Sequence, residues 1–135
     1  MATRTALPLL MSLFLTAPAL AQDDLVPMDL SQVDPAMVND MFGPWEIADE
    51  SGKKTCRVEL KRDETIGGME IAVDPACAKV FPVMDEIAAW RLMESWTIVM
   101  ADATRKTRLV FYRPDERYIA RDEVDGIFTI NQLPR

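Results

Sequence analysis

An all-β fold, a small eight-stranded antiparallel up-and-down β-barrel preceded by an N-terminal arm and a short helix, is what the sequence predicts. Three observations carry it. After Trp45 the apolar residues recur with the strand period of two, as in Cys56-Arg-Val-Glu-Leu-Lys61, where Cys56, Val58 and Leu60 share one face. Eight such runs follow one another, separated by hairpin-length turn signals such as Asp49-Glu-Ser-Gly52, Gly67-Gly68 and Asp125-Gly126. Sequential strands joined by short loops form a meander, and eight of them close naturally into a small barrel, with an open sandwich as the alternative.

In order along the chain, the first element is a leader at 1–21. Arg4 is its only charge, residues 7–20 are apolar, and Ala19-Leu20-Ala21 is a cleavage signal. The apolar run is too short, and too interrupted by Pro8 and Pro18, for the roughly 20 residues a membrane-spanning helix needs. Cleavage before Gln22 and export to the periplasm are expected. No Cys stands at the cleavage point, which closes the lipid-anchored route. Residues 22–43 form the second unit, with five Asp and no base. Its first part, 22–33, has no sustained period and reads as an extended arm. Asp34-Pro35 then reads as an N-cap with Pro at the first helical position, opening a short helix over 35–42 that stops at Gly43-Pro44.

Residues 44–135 form the barrel domain. Strands are expected at 45–48, 56–61, 69–73, 88–91, 96–100, 109–112, 118–123 and 127–133. Asp74-Pro-Ala-Cys77 breaks the third, and 78–84 makes a compact turn or a one-turn helix. Asp125-Gly126 is a two-residue type I′ hairpin signal. A membrane-spanning barrel is not expected, because one face carries Arg57, Glu59, Lys61 and Glu70 instead of an apolar band.

Composition narrows the chemistry. The 135 residues carry a formal charge of −7 and no His. Losing the leader removes only Arg4, so 14 bases would face 22 acids, a charge of −8. An acidic surface of this kind disfavours phosphate backbones, and nucleic acid is not an expected partner. Without His, every Ser-His or Cys-His nucleophile and every His-bearing zinc site is excluded, and two Cys cannot hold a four-thiolate metal. The acidic doublets Asp85-Glu86, Asp115-Glu116 and Asp122-Glu123 do not converge: neighbours on a strand point to opposite faces, and the others sit in turns. No catalytic residue, metal site or cofactor is expected. In an exported chain Cys56 and Cys77 make one obvious disulfide, the alternative being two buried free thiols.

Five short motifs occur in order: Gly43-Pro-Trp45, Thr55-Cys-Arg57, Val73-Asp-Pro-Ala-Cys77, Phe81-Pro82 and Ala88-Ala-Trp90. Together they resemble the bacterial inhibitors of serralysin-type (alkaline) metalloproteases, some relatives of which are outer-membrane lipoproteins. The resemblance spans roughly residues 35–133. It implies a periplasmic barrel with a disulfide at Cys56–Cys77, acting as a monomer on a serralysin-type metalloprotease. It further implies inhibition by an N-terminal arm that enters the protease cleft near the catalytic zinc, with barrel strands near the mouth making a second contact. Here the protease-binding arm would comprise Gln22, Asp23, Asp24, Leu25, Val26, Pro27 and Met28. The arm departs from the family pattern in length and in beginning Gln-Asp-Asp. An N-terminal Gln can cyclise and lose its amine, leaving the two carboxylates as the hard oxygen ligands offered to zinc. The alternatives are that the arm is an acidic leader only, and that the barrel is a ligand-binding or structural envelope protein. In the ligand-binding case Trp45, Trp90, Trp96, Phe111 and Phe128 would line a cavity, although inward aromatics more often form plain core.

The exported protein should begin at Gln22, free or as pyroglutamate, by intact mass. Recovery of an intact leader in the membrane fraction would show an uncleaved anchor instead.

Overall fold

The structure is a computed structural model that describes residues 3–6, 8, 9, 12 and 25–135. Most of the leader predicted at 1–21 lies outside the described residues, as do Gln22, Asp23 and Asp24. Among the described residues no helix is long and apolar enough to cross a membrane.

Eight strands form one closed antiparallel barrel: β1 (Gly43–Asp49), β2 (Thr55–Thr65), β3 (Gly68–Val73), β4 (Ile87–Met93), β5 (Thr97–Asp102), β6 (Thr107–Tyr112), β7 (Tyr118–Ala120) and β8 (Ile127–Gln132). Each strand pairs with its neighbours in sequence, and β1 closes on β8 through Trp45 opposite Gln132 and Ile47 opposite Ile130. The predicted alternation is the structural one. Cys56, Val58 and Leu60 are buried, while Arg57 and Glu59 between them are exposed. Trp45, Ile47, Trp90, Ile98, Met100, Phe111 and Ile130 meet inside, so the barrel is filled by its own side chains.

The helix α1 (Pro35–Asn39) starts as the sequence predicts: Pro35 sits in the first turn, and the Ala36 amide donates to the Asp34 carboxylate at 2.9 Å. It is shorter than the predicted 35–42, because residues 40–42 turn off the helix to bring Gly43, at φ +123°, into β1. The Trp45 indole N–H then donates to the Met41 carbonyl at 2.9 Å, and Arg135 donates to the Asn39 carbonyl at 2.8 Å. These bonds seat α1 over one end of the barrel, the arm end, where β1 begins and β8 finishes.

The opposite end holds the long connection between β3 and β4. It contains α2 (Cys77–Val80), the one-turn helix that was one of the two forms expected at 78–84, followed by a 3-10 turn at Pro82–Glu86. Phe81, Val83 and Met84 are buried and plug the barrel, and the Val83 amide donates to the Asp125 carboxylate at 2.7 Å. Cys56 and Cys77 form a disulfide that fastens α2 to the start of β2, with their Cα atoms 4.9 Å apart. Two turns at this end are organised by aspartates. The Asp102 carboxyl is held below its ordinary pKa, first by the Thr104 hydroxyl donating at 2.6 Å and then by the Lys106 and Thr104 amides and Arg108, which together outweigh desolvation. At Asp49 desolvation is the largest single influence and raises the pKa, but the Lys54 amide, the Ser51 hydroxyl and neighbouring amides together lower it.

The seam between β3 and β4 is thin. Its ladder consists of one pair, Met69 opposite Trp90. Trp90 reaches across β3 to donate its indole N–H to the Lys61 carbonyl at 3.0 Å, and Arg91 donates to the carbonyls of Gly67 and Arg105. Gly68 approaches so closely that a Cβ there would overlap the Trp90 carbonyl.

One strand corrects the expectation. Residues 118–123 were expected to be extended to a two-residue hairpin, but β7 stops at Ala120. Arg121 still donates its amide to the Val110 carbonyl of β6, at 2.8 Å, and the chain then curls so that the Ile127 amide reaches the Val124 carbonyl at 2.9 Å. Asp125 and Gly126 do have the positive φ values, 53° and 80°, that their sequence signal implies.

Removing the disulfide by Cys56→Ser should lower unfolding free energy by about 3 kcal/mol in urea titrations, the loop-closure value for a loop of this size. Two free thiols in the native, non-reduced protein would overturn that expectation.

Candidate functional site

The arm end gathers what the barrel does not need for its own core. The arm runs along it, not away from it. Pro27 faces Met93 in an isolated antiparallel bridge, flanked by two hydrogen bonds: the Glu94 amide donates to the Val26 carbonyl at 2.7 Å, and the Met28 amide to the Leu92 carbonyl at 3.1 Å. A proline suits this position, because a residue between the hydrogen-bonded ones needs no N–H. Leu25 is half-buried against Met93, Val99 and Val110. These are the outward-facing partners of the inward Leu92, Ile98, Met100 and Phe111. Met28 packs towards the main core, and Val26 is 52% exposed. A 3-10 turn at Leu30–Gln32 follows, capped by Asp29, whose carboxylate accepts from the Ser31 amide at 3.1 Å.

Of the predicted arm residues, the structure therefore brings Leu25, Val26, Pro27 and Met28 together against the end of β4. Gln22, Asp23 and Asp24 lie outside the described residues. Cys56 and Cys77 sit at the far end and take no part.

The sequence reading missed the loop beside the arm. Residues 96–100 were expected as strand, but Trp96 belongs to the turn Glu94–Trp96, in which Ser95 and Trp96 both have φ of 61°. Left-handed backbone at a non-glycine residue costs roughly 1–2 kcal/mol, and here two stand in succession. The turn is held on both sides. Val26 accepts its first amide, and the Tyr118 hydroxyl donates to the Trp96 carbonyl at 2.7 Å. Trp45 packs edge-on against Tyr118, with ring centroids 5.6 Å apart. Arg113 lies over the other side of that ring at 5.6 Å. A cleft of about 360 Å³ opens between Met37, Trp96, Arg113, Arg117, Tyr118 and Gln132. Met37 on its rim is exposed, and so is Leu30 in a separate groove with Pro27, Phe42 and Leu92.

The other groups singled out in the sequence have local roles. Glu86 pairs with Arg108 at 2.7 Å, Asp115 accepts from the Arg117 amide at 2.7 Å, and Glu123 accepts from the Gly126 amide at 3.0 Å. Trp45, Trp90 and Phe111 are packed in the core, whereas Phe128 faces outward and is 38% exposed, so these rings do not line one cavity.

A family profile described as protease inhibitor Inh matches residues 36–131, from α1 to the last strand. The arm precedes the matched stretch. No curated protein matches the chain.

Burial of the Tyr118 ring raises its phenol above the ordinary pKa of 10.0, and the Arg113 guanidinium opposes that rise without cancelling it. The folded state thus favours the neutral phenol. Its contribution to stability is complete below pH 10 and is lost as pH rises through the higher folded value. In a Tyr112→Phe background Tyr118 is the single tyrosine, and tyrosinate absorbance should titrate later than in the unfolded chain. Titration at the unfolded value would contradict the burial and the bond to Trp96.

Proposed function

The chain belongs to the protease inhibitor Inh family, and from that premise we propose that it is a periplasmic inhibitor of a secreted zinc metalloprotease of the serralysin type. It is a monomer that blocks the active-site cleft with the arm that begins at Gln22. The observation that carries this reading is the seat of the arm. The segment Leu25–Met28 is bonded to the end of β4 by the Val26 carbonyl and the Met28 amide, at the end where the cleft and the exposed Met37 and Leu30 lie. An arm leaving the barrel there offers a protease an extended chain backed by a rigid face.

The chemistry of the leading residues fits a metal-bearing cleft. Asp23 and Asp24 supply carboxylate oxygens, which zinc accepts, and they remain available whether or not Gln22 has cyclised. Export through the leader at 1–21 would place the inhibitor in the envelope, between the cell and the protease it restrains.

The test is deletion. A chain lacking residues 22–33 should keep its barrel, because the eight-strand ladder and the disulfide lie outside the deleted part, at a cost of about 2–5 kcal/mol for Leu25, Met28 and two hydrogen bonds. Against a serralysin-type protease its inhibition constant should rise by orders of magnitude, about 4 kcal/mol corresponding to roughly a thousandfold. Equal inhibition by the truncated barrel would move the inhibitory surface to the strands and turns.

A further inference from the structure

The arm does not have one job along its length. Val26, Pro27 and Met28 continue the sheet as a short extra strand on β4, with backbone hydrogen bonds at both ends of the Pro27–Met93 pair. Leu25 is set on Met93, Val99 and Val110, which are buried although they point away from the barrel interior. A segment meant to enter a foreign cleft would have to give up both bonds and this apolar seat. It would also have to release Glu94, the first residue of the turn whose carbonyl at Trp96 is tied to Tyr118. Keeping the segment in place has the opposite effect, since its ordering entropy is already met by folding and is not charged against binding.

We propose that Leu25–Met28 is a positioning clamp that stays on the barrel while the protease is bound, and that only Gln22, Asp23 and Asp24 enter the cleft. This rests on the inhibitor reading above and divides its arm into a fixed base and a short probe. Three extended residues span at most about 10 Å. The clamp therefore sets how deep the carboxylates can reach, and it makes the spacing between Leu25 and the chain start a determinant of which cleft is fitted.

A tether tests this. Pro27 and Met93 form the pair that does not exchange hydrogen bonds, for which Cα atoms stand about 4.5 Å apart, within disulfide range. The full chain carrying Pro27→Cys with Met93→Cys, oxidised, should inhibit a serralysin-type protease within threefold of the unmodified chain. Loss of inhibition by a hundredfold on cross-linking, with both single variants still active, would overturn the clamp and show that the segment must leave the barrel. Hydrogen exchange gives a second readout that does not depend on the tether. The Glu94 and Met28 amides should stay protected in the protease complex as in the free protein, and exposure of either on binding would overturn the proposal. Leu25→Asp should speed exchange at Glu94 and weaken inhibition at least tenfold while Leu25→Met restores both; unchanged exchange and inhibition in Leu25→Asp would count against the clamp. Failure of the unmodified chain to inhibit would overturn the inhibitor reading itself, an outcome separate from loss on cross-linking alone.

Discussion

Closure of the barrel depends on Trp90. Every other seam is a ladder of two or more pairs, but β3 and β4 share only Met69 opposite Trp90. The indole makes up the deficit. It is fully buried, its N–H reaches past β3 to the Lys61 carbonyl, and its backbone lies so close to Gly68 that only glycine fits there. Phe42 packs edge-on against it, with centroids 6.0 Å apart, and Arg62 lies over Phe42 at 5.2 Å. Phe42 belongs to the turn between α1 and β1, so one side chain bears on both the shortest ladder and the approach of the N-terminal elements. The end of β4, where the arm is bonded, is three residues further along the same strand.

The two ends of the barrel are built by different physics. At the disulfide end the connection is covalent, and Asp49, Asp102 and Asp125 accept several backbone amides each or close the plug. At the arm end nothing is covalent. Aromatic rings, a buried phenol that donates to the Trp96 carbonyl, and backbone bonds to an added strand do the holding. Local stability follows contact density and bonding, so the arm end relies on packing and hydrogen bonds for what the far end secures with a covalent tie. The left-handed Ser95 and Trp96 show how firmly those bonds hold, because such backbone persists only where its surroundings fix it.

The strands were legible because a half-buried strand writes its period into its side chains. Cys56, Val58 and Leu60 alternate with Arg57, Glu59 and Lys61, and no other element produces that pattern. The start of α1 was equally plain, since Asp34-Pro35 states both the cap and the first turn. Three features were not legible, each for a physical reason. The arm docks through carbonyl and amide groups that every residue possesses, so its pairing leaves no mark on the sequence beyond an extended, aperiodic stretch. The turn at Glu94–Trp96 uses positive φ without glycine, and tertiary bonds from Val26 and Tyr118 enforce what local preference would not. The end of β7 is set by the curl at 121–126 closed by the Ile127 amide on the Val124 carbonyl, a tertiary outcome that the alternation of a single run of residues does not encode.

The stapled connection between β3 and β4 also bears on survival. A protease cleaves what it can draw out as an extended strand, and it finds such segments in long exposed loops and loose termini. The other connections of this barrel are tight turns that offer little to thread. Asp74–Glu86 is the exception by length, yet it is wound into α2 and a 3-10 turn, its Phe81 and Met84 are locked in the core, and Cys77 is bonded to β2. Among the described residues, the longest connection between strands is thus wound up and anchored, on the side of the molecule opposite the arm.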